Sequence, residues 1–363
     1  MSSPALHIRG SVLVGPREVC HEVWVVGGQI TYDAPSSAGT EVQTVTGWVL
    51  PGLVDAHCHI GLDSDGAVDA ATAEVQAVAD RDAGALLLRD AGSPSDTRWI
   101  NDRGDLPRIV RAGRHIARTR RYIRNYAHEI EPEDLVMYVH REARAGDGWV
   151  KLVGDWIDRD TGDLSPCWPR EALVSAISAA HEEGARVTAH CFGEQSLADF
   201  AAAGVDCIEH ATGLVSDTID SFAANGIAIV PTLVNIDTFP SIAEGAQEKY
   251  PTYATHLRDL HSRRYETIAA AHDAGVPIYL GTDAGGSLPH GLVAREAAEL
   301  VRAGLSTVEA LAATSWDARR WLHRPGLEEG ASADLVIYQA DPREDVRILA
   351  APEHIVMRGT VVL

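Results

Sequence analysis

Hydrophobic and polar positions follow two different rhythms along this chain. Residues 5–50 contain short runs rich in β-branched residues and tryptophan: LHIRGSVLV, EVWVVGGQI and EVQTVTGWVL, with glycine and proline between them. That texture predicts strands. It returns at the other end in ADLVIYQA and HIVMRGTVVL. Between the ends, eight short apolar runs alternate with alanine-rich amphipathic stretches. The runs are GLVDAHCH, ALLLRD, RIVRAG, WVKLVGDW, RVTAHCF, VDCIEH, IAIVPT and PIYLGTD. Helices are predicted over 69–83, 132–145, 170–183, 195–203, 217–225, roughly 250–274, 292–303 and 307–322. Strands alternating with helices imply parallel strands joined by helical crossovers. Eight such units fit an α/β fold of the (β/α)8 TIM barrel type, with a doubly wound open sheet as its rival. The end strands then pair into a small β-sandwich domain formed by both chain ends. The predicted division is 1–50 with 326–363 for that composite β domain, and 51–325 for the barrel.

Composition narrows the function. The 363 residues are 45% hydrophobic and 23% charged, the balance of a soluble globular protein with a large core. Lys plus Arg is 31 and Asp plus Glu is 52, so the formal charge is 31 − 52 = −21. Such an acidic chain is a poor partner for nucleic-acid phosphates or an anionic membrane. No run of about 18 apolar residues is present, so no membrane span is expected. The opening MSSPALHIRG has no secretory pattern. Five widely spaced cysteines suggest reduced thiols, and a cytoplasmic location is expected.

The candidate chemistry sits at the ends of the predicted strands. In a strand, residues two apart share a face, so His57 and His59 point together, and two imidazoles at that spacing can share an ion. By the same parity Cys58 and Cys191 point away, as packed residues. Alone, His-x-His is a weak signal. Lys151, His190, His210 and Asp283 add to it, because each falls in or at the end of another run. In barrel enzymes that end carries the active site. Asp55 can brace the histidines as a hydrogen-bond acceptor or cap the backbone. The plain alternative for Lys151 is a strand lysine paired with Asp155 or Asp158.

In this ordered set the sequence resembles the amidohydrolase superfamily, nearest to its imidazolonepropionase-like and Xaa-Pro dipeptidase-like branch. PGLVDAHCHIGL is similar to the first-strand motif and LGTDAGG to the last. RDAGSP, VKLVGDW, VTAHCF and IEHATGL fall on the second, fourth, fifth and sixth strands, and GLEEGASADLVIYQADP on the return to the small domain. The resemblance implies a hydrolase of amide or cyclic amide bonds with two divalent metal ions, zinc being the expected pair. His57, His59 and Asp283 would hold one ion, and His190 and His210 the other. Lys151, as a carbamate, would bridge them. Asp283 would also be the catalytic general base and then acid. The alternative is a mononuclear deaminase or imidazolone-type ring hydrolase, and a third reading is a non-catalytic barrel relative.

Substrate contacts are read from the loops. His115 and His290 are candidates, each with a surface alternative. Arginines crowd the segment 103–124, and one among Arg118, Arg120, Arg121 and Arg124 could take a substrate carboxylate, the plain alternative being a surface helix face balanced by Glu129, Glu131 and Glu133. Where relatives carry Gly-Gly-His after the third strand, this chain has Thr119-Arg120-Arg121-Tyr122. Where they carry a tyrosine after the seventh, it has Asn235 and Asp237. Tyr122 and Asn235 are therefore candidates for those contacts, and Trp156 and Trp168 for the pocket wall. The partner is a small molecule, in a protein that can form a homo-oligomer.

Overall fold

The computed structural model describes residues 5–35 and 42–363. The remaining residues of the predicted end domain, 1–4 and 36–41, lie outside them. One hydrogen-bonded sheet of seven strands joins the two chain ends. Its order is Thr360–Val361, His354–Met357, Leu335–Tyr338, Val42–Pro51, Ala5–Leu13, Val19–Val26 and Gln29–Thr31. Ala5–Leu13 runs parallel to Val42–Pro51, from Ala5 opposite Val42 to Val12 opposite Val49. Leu335–Tyr338 pairs antiparallel on the other side of Val42–Pro51. Alternate residues of these strands, among them Leu6, Ile8, Val23, Val25, Val49, Leu335 and Ile337, form one buried apolar cluster.

Between the ends the fold is TIM-barrel-like α/β, and its parallel strands form two arcs. One arc is His128–Ile130, Ile116–Arg118, Trp149–Val153, Arg186–Cys191, Cys207–His210 and Ala228–Val230. The other is Ala284–Gly286, Leu53–Asp63, Ala85–Asp90 and Arg108–Arg111. Backbone hydrogen bonds run from arc to arc through residues 277–280. Ile229 N–H donates to Pro277 O and Ala56 N–H to Leu280 O, both at 2.8 Å. Helices pack outside. The inner floor is a separate apolar cluster of Val54, Ala56, Leu87, Val110, Trp149, Cys207 and Val230.

Three departures from the predicted elements bear on how the site is framed. The last helix is two, Thr307–Ala313 and Trp316–Trp321. The break has a tertiary cause: Val54 N–H donates to Thr314 O (2.7 Å), and Thr314 Oγ1 donates back to Val54 O (2.9 Å). The first central strand thus competes for backbone groups the helix would use. The run PIYLGTD forms only a single bridge, Ile278 with Ile229. Finally, helices Leu233–Ile236 and Phe239–Ala246 follow the seventh run, where no helix was predicted. The buried Glu296 carboxylate accepts from Leu233 N–H and Val234 N–H, each at 2.8 Å, and so caps the first turn. Among the described residues no helix is long and apolar enough to cross a membrane.

Candidate metal centre

His57 and His59 leave the first central strand on one face and meet Asp283. His57 Nε2 lies 3.2 Å from His59 Nε2. Asp283 Oδ1 is 3.0 Å from each. Cys58 points the opposite way, into the outer core. The register against Ala85–Asp90 shifts between Asp55 and Cys58. That irregularity lets Ala56 join the inner floor while His57 and His59 still face inward. Asp283 is held by its backbone, at φ 58°. Both Thr282 N–H and Asp283 N–H donate to His57 O, at 3.0 and 2.7 Å. The approach is so close that a Cβ at Gly285, φ 100°, would lie 2.5 Å from His59 O.

The hydrogen bonds around the rings decide their tautomers. His57 Nδ1 faces Glu209 Oε2 at 2.6 Å, and His59 Nδ1 faces Gly92 O at 2.7 Å. A carboxylate and a carbonyl can only accept, so both Nδ1 atoms carry protons. Both Nε2 lone pairs then point at one another and at a carboxylate oxygen. Three electron-rich atoms at this spacing repel unless a positive charge sits among them. Burial opposes a charge on His57, but Glu209 and Asp283 outweigh it and raise its pKa. The same three atoms suit a metal. Held at about 2.1 Å from a common ion, at angles between 90° and tetrahedral, such atoms lie about 3.0–3.4 Å apart. The donor set therefore fits a divalent cation.

Glu209 was not singled out in the sequence. It is fully buried, with Oε1 accepting from Arg89 Nη2 (2.6 Å) and from the Thr188 hydroxyl. Burial alone would raise its pKa; Arg89, His57 and Lys151 together hold it well below the usual range. Parity hid it, because inward-pointing His210 implies an outward Glu209. His210, however, has φ 67°, and this left-handed conformation lets Glu209 and His210 both face His57. An acid inside the apolar run VDCIEH was the available signal.

Asp55 does not touch an imidazole. Its carboxylate accepts from His57 N–H (3.1 Å), Thr282 N–H (3.0 Å) and the Thr282 hydroxyl (2.5 Å). It ties the first strand to the Asp283 turn, as the backbone alternative required. Lys151 is mid-strand and 1% exposed. Burial lowers its pKa against the pull of Glu209 and Asp283. Neither proposed partner pairs with it. Asp155 accepts from Phe192 N–H, Gly193 N–H and Ser196, and Asp158 from Arg121.

The second half of the cluster is less tied down. The His190 and His210 ring centroids are 4.7 Å apart, and His210 lies 5.2 Å from His57. His210 Nδ1 is 2.7 Å from the Thr232 hydroxyl. His190 Nε2 is buried without a partner, as are both ring nitrogens of His115. Burial and then His210 hold His190 well below its usual pKa; burial and then His59 do the same for His115. His210 is pushed down to about 3, chiefly by burial. All three are neutral imidazoles, the form that binds metal. His115 lies 5.0 Å from His59, its ring tilted by 31°. Tyr122 lies 5.5 Å from both His115 and His190, and Trp156 5.4 Å from His190.

Several sequence candidates lie elsewhere. His290 is neither on the surface nor at the cluster; its side chain is 4% exposed, with Nδ1 2.8 Å from Asp80. Arg121 clamps the hairpin of Asp155–Asp158 and Asp163–Pro166, donating to Asp158, Trp156 O and Ser165. Arg120 is exposed at φ 61°, with its backbone on Glu129. Asn235 sits on the short Leu233–Ile236 helix, its carbonyl accepting from Thr238. Trp168 is buried and donates to Val153 O at 2.8 Å, so it packs instead of lining a pocket. In the rest of the arginine segment, Arg103 and Arg111 sit on Asp105 and Asp147.

The amidohydrolase family model matches residues 146–362. The chain belongs to the amidohydrolase family. This amidohydrolase is therefore a hydrolase of carbon–nitrogen bonds. It is 54% identical over 355 residues to an uncharacterized protein of Mycobacterium tuberculosis, covering 98% of this chain and 95% of that one. It is 26% identical over 229 residues to the ochratoxinase of Aspergillus niger, covering 61% of this chain and 47% of that protein. The ochratoxinase crystal structure superposes with a TM-score of 0.82 at 21% identity, over 99% and 96% of the two chains. A Xaa-Pro dipeptidase structure with bound methionine in its active site also gives 0.82, at 22% identity over 98% and 99%.

Proposed function

We propose that this amidohydrolase is a metal-dependent enzyme hydrolysing an amide or cyclic amide bond of a small molecule, with two divalent ions, zinc the expected pair. The observation that carries this is the meeting of two lone pairs and a carboxylate oxygen at His57, His59 and Asp283. These three residues would hold one ion, and His190 and His210 the other. Lys151, carboxylated on Nζ, would serve both. Burial lowers the Lys151 pKa, in the direction of the neutral amine that carboxylation needs. The frame we propose is a closed eight-stranded barrel over 51–325, beside a composite β-sandwich domain of 1–50 and 326–363.

Divalent ions bound here would make water acidic and polarise a carbonyl oxygen. The protein's own groups do the rest. Asp283 meets both imidazoles through Oδ1, yet its side chain stays 18% exposed. Its carboxylate accepts the proton of the attacking water and returns it to the leaving nitrogen. Glu209 and Gly92 O keep the imidazole lone pairs aimed inward. Tyr122 and Trp156, edge to face with centroids 4.9 Å apart, form an aromatic wall beside His190. That wall suits a flat apolar group on the substrate. N-acyl amino acids, dipeptides and lactam-like molecules are the classes to screen.

Metal content per chain, on protein purified with bicarbonate and no chelator, tests the reading. Two equivalents are expected. One specific observation favours a single-ion alternative, a deaminase or ring hydrolase. His57, His59 and Asp283 are the one group of three among the described residues whose ligand atoms all lie within 4.8 Å of one another. One equivalent of metal, with Lys151→Ala keeping count and rate, would select that alternative.

A further inference from the structure

The ends of the strands remote from the histidines enclose a second space. It is a cavity of about 310 Å³, floored by Leu86, Leu87, Ile109 and Val110. Leu86 and Leu87 open the strand whose last residues, Arg89 and Asp90, run toward the metal centre. The rim is cationic, carrying Arg108, Arg319 and Arg324, with Asn101 and Ser332 beside them. Its lining carboxylate, Asp334, already accepts from Arg358 N–H at 3.0 Å.

In a chain of charge −21, these arginines find unusual company. Arg103 and Arg111, in the same stretch of chain, each sit on an aspartate. Arg319 is 7% exposed and donates to neutral oxygens, Gly52 O at 2.7 and 2.9 Å and Pro325 O at 2.8 Å. Burial pushes its pKa down to about 10. Arg108 donates to Asn101 O at 2.6 Å. Among the described residues, none of the three forms an ion pair within 4.0 Å. A guanidinium removed from water without an anion is costly. Arg319 is such a group, and Arg108 and Arg324 stand exposed at the same rim, so together they make the cavity a place where an anion is stabilised.

We propose that this cavity is a second binding site, separate from the histidine cluster, for a small organic carboxylate with a compact apolar body. The arginine forks match a planar carboxylate. The floor is apolar and offers no donors, which favours a hydrocarbon body over a phosphate needing contacts all round. The volume is at the small end of those that hold small molecules.

The test is calorimetric titration of the metal-loaded enzyme with benzoate, with benzyl alcohol and inorganic phosphate as separate probes. Wild type, Arg108→Ala/Arg324→Ala and Asp283→Asn are compared. Both arginines are exposed, so the double variant is expected to fold, and its melting curve checks this. Benzoate should saturate a site that weakens at least about tenfold in the double arginine variant and persists in Asp283→Asn. Benzyl alcohol should bind far less. The proposal is overturned by benzoate binding that ignores the arginines or disappears with Asp283→Asn alone. It is equally overturned by phosphate binding as well as benzoate, or by no saturation up to about 10 mM. Should the double variant unfold, Arg324→Ala alone takes its place, with the same reading.

Discussion

The two halves of the histidine cluster are built differently. At His57, His59 and Asp283, each imidazole has a named partner behind it, Glu209 or Gly92 O, and the backbone of the Asp283 turn is pinned to His57 O. At His190 and His115, buried ring nitrogens have no partner. Buried polar atoms without partners are costly, and they collect where a ligand is meant to complete them. The first half is preorganised by the protein. In the second half, beside Tyr122 and Trp156, no protein group takes up the ring nitrogens of His115 or Nε2 of His190.

That contrast can be broken in order of effect. Asp283→Asn keeps the shape and removes the proposed proton acceptor; turnover should fall about 10³-fold or more in a steady-state assay, with the melting temperature nearly unchanged. Near-normal turnover would mean that Asp283 is not the base. Glu209→Ala attacks the bracing itself. It strands Arg89 inside the fold and frees the His57 ring, so metal affinity should drop about 10–100-fold by chelator competition and stability by about 3–5 kcal/mol in denaturant. If affinity stayed at the wild-type value, ring orientation would not depend on Glu209. Trp156→Ala probes the open half. KM for substrates with a flat apolar group should rise about tenfold, while kcat and metal content change little. An equal change for aliphatic substrates would remove the wall from substrate selection.

The smallest effect lies outside the cluster. His256 joins the helix Pro251–Asp273 to Glu194 and Asp163, at 3.0 and 2.9 Å. Its hydrogen bond to Glu194, ahead of Asp163, raises its pKa to about 9. A raised histidine stabilises the fold fully below its unfolded pKa of about 6.5, and that stability disappears as pH rises through about 9. The side chain is 22% exposed and its partners Asp163 and Glu194 27% and 33%, so screening leaves only about 1 kcal/mol. Thermal melts from pH 6 to 10 should show this slope in wild type and lose it in His256→Gln.

Legibility varied with the kind of information each residue carries. Strand and helix periods along 51–325 and the β texture of both ends could be read directly, since apolar spacing is a local property. The face shared by His57 and His59 followed from strand geometry. Parity failed where the backbone leaves regular strand conformation. His210 at φ 67° concealed Glu209, and Asp283 at φ 58° sits in a turn instead of a strand. The helix predicted over 307–322 broke because Thr314 bonds to Val54, a residue 260 positions away. His290 and Arg121 looked like site residues by position in loops; their carboxylate partners, Asp80 and Asp158, come from other elements.

Local chain chemistry thus decided which elements form, which residue types stand at strand ends, and the family the chain belongs to. Tertiary structure alone decided which of those residues meet. Hydrogen bonds such as Glu209 to His57, Asp55 to Thr282 and Glu296 to Leu233 span long separations in sequence. Each depends on where the packed elements bring a donor and an acceptor within 3 Å or so, and no run of residues encodes that distance by itself.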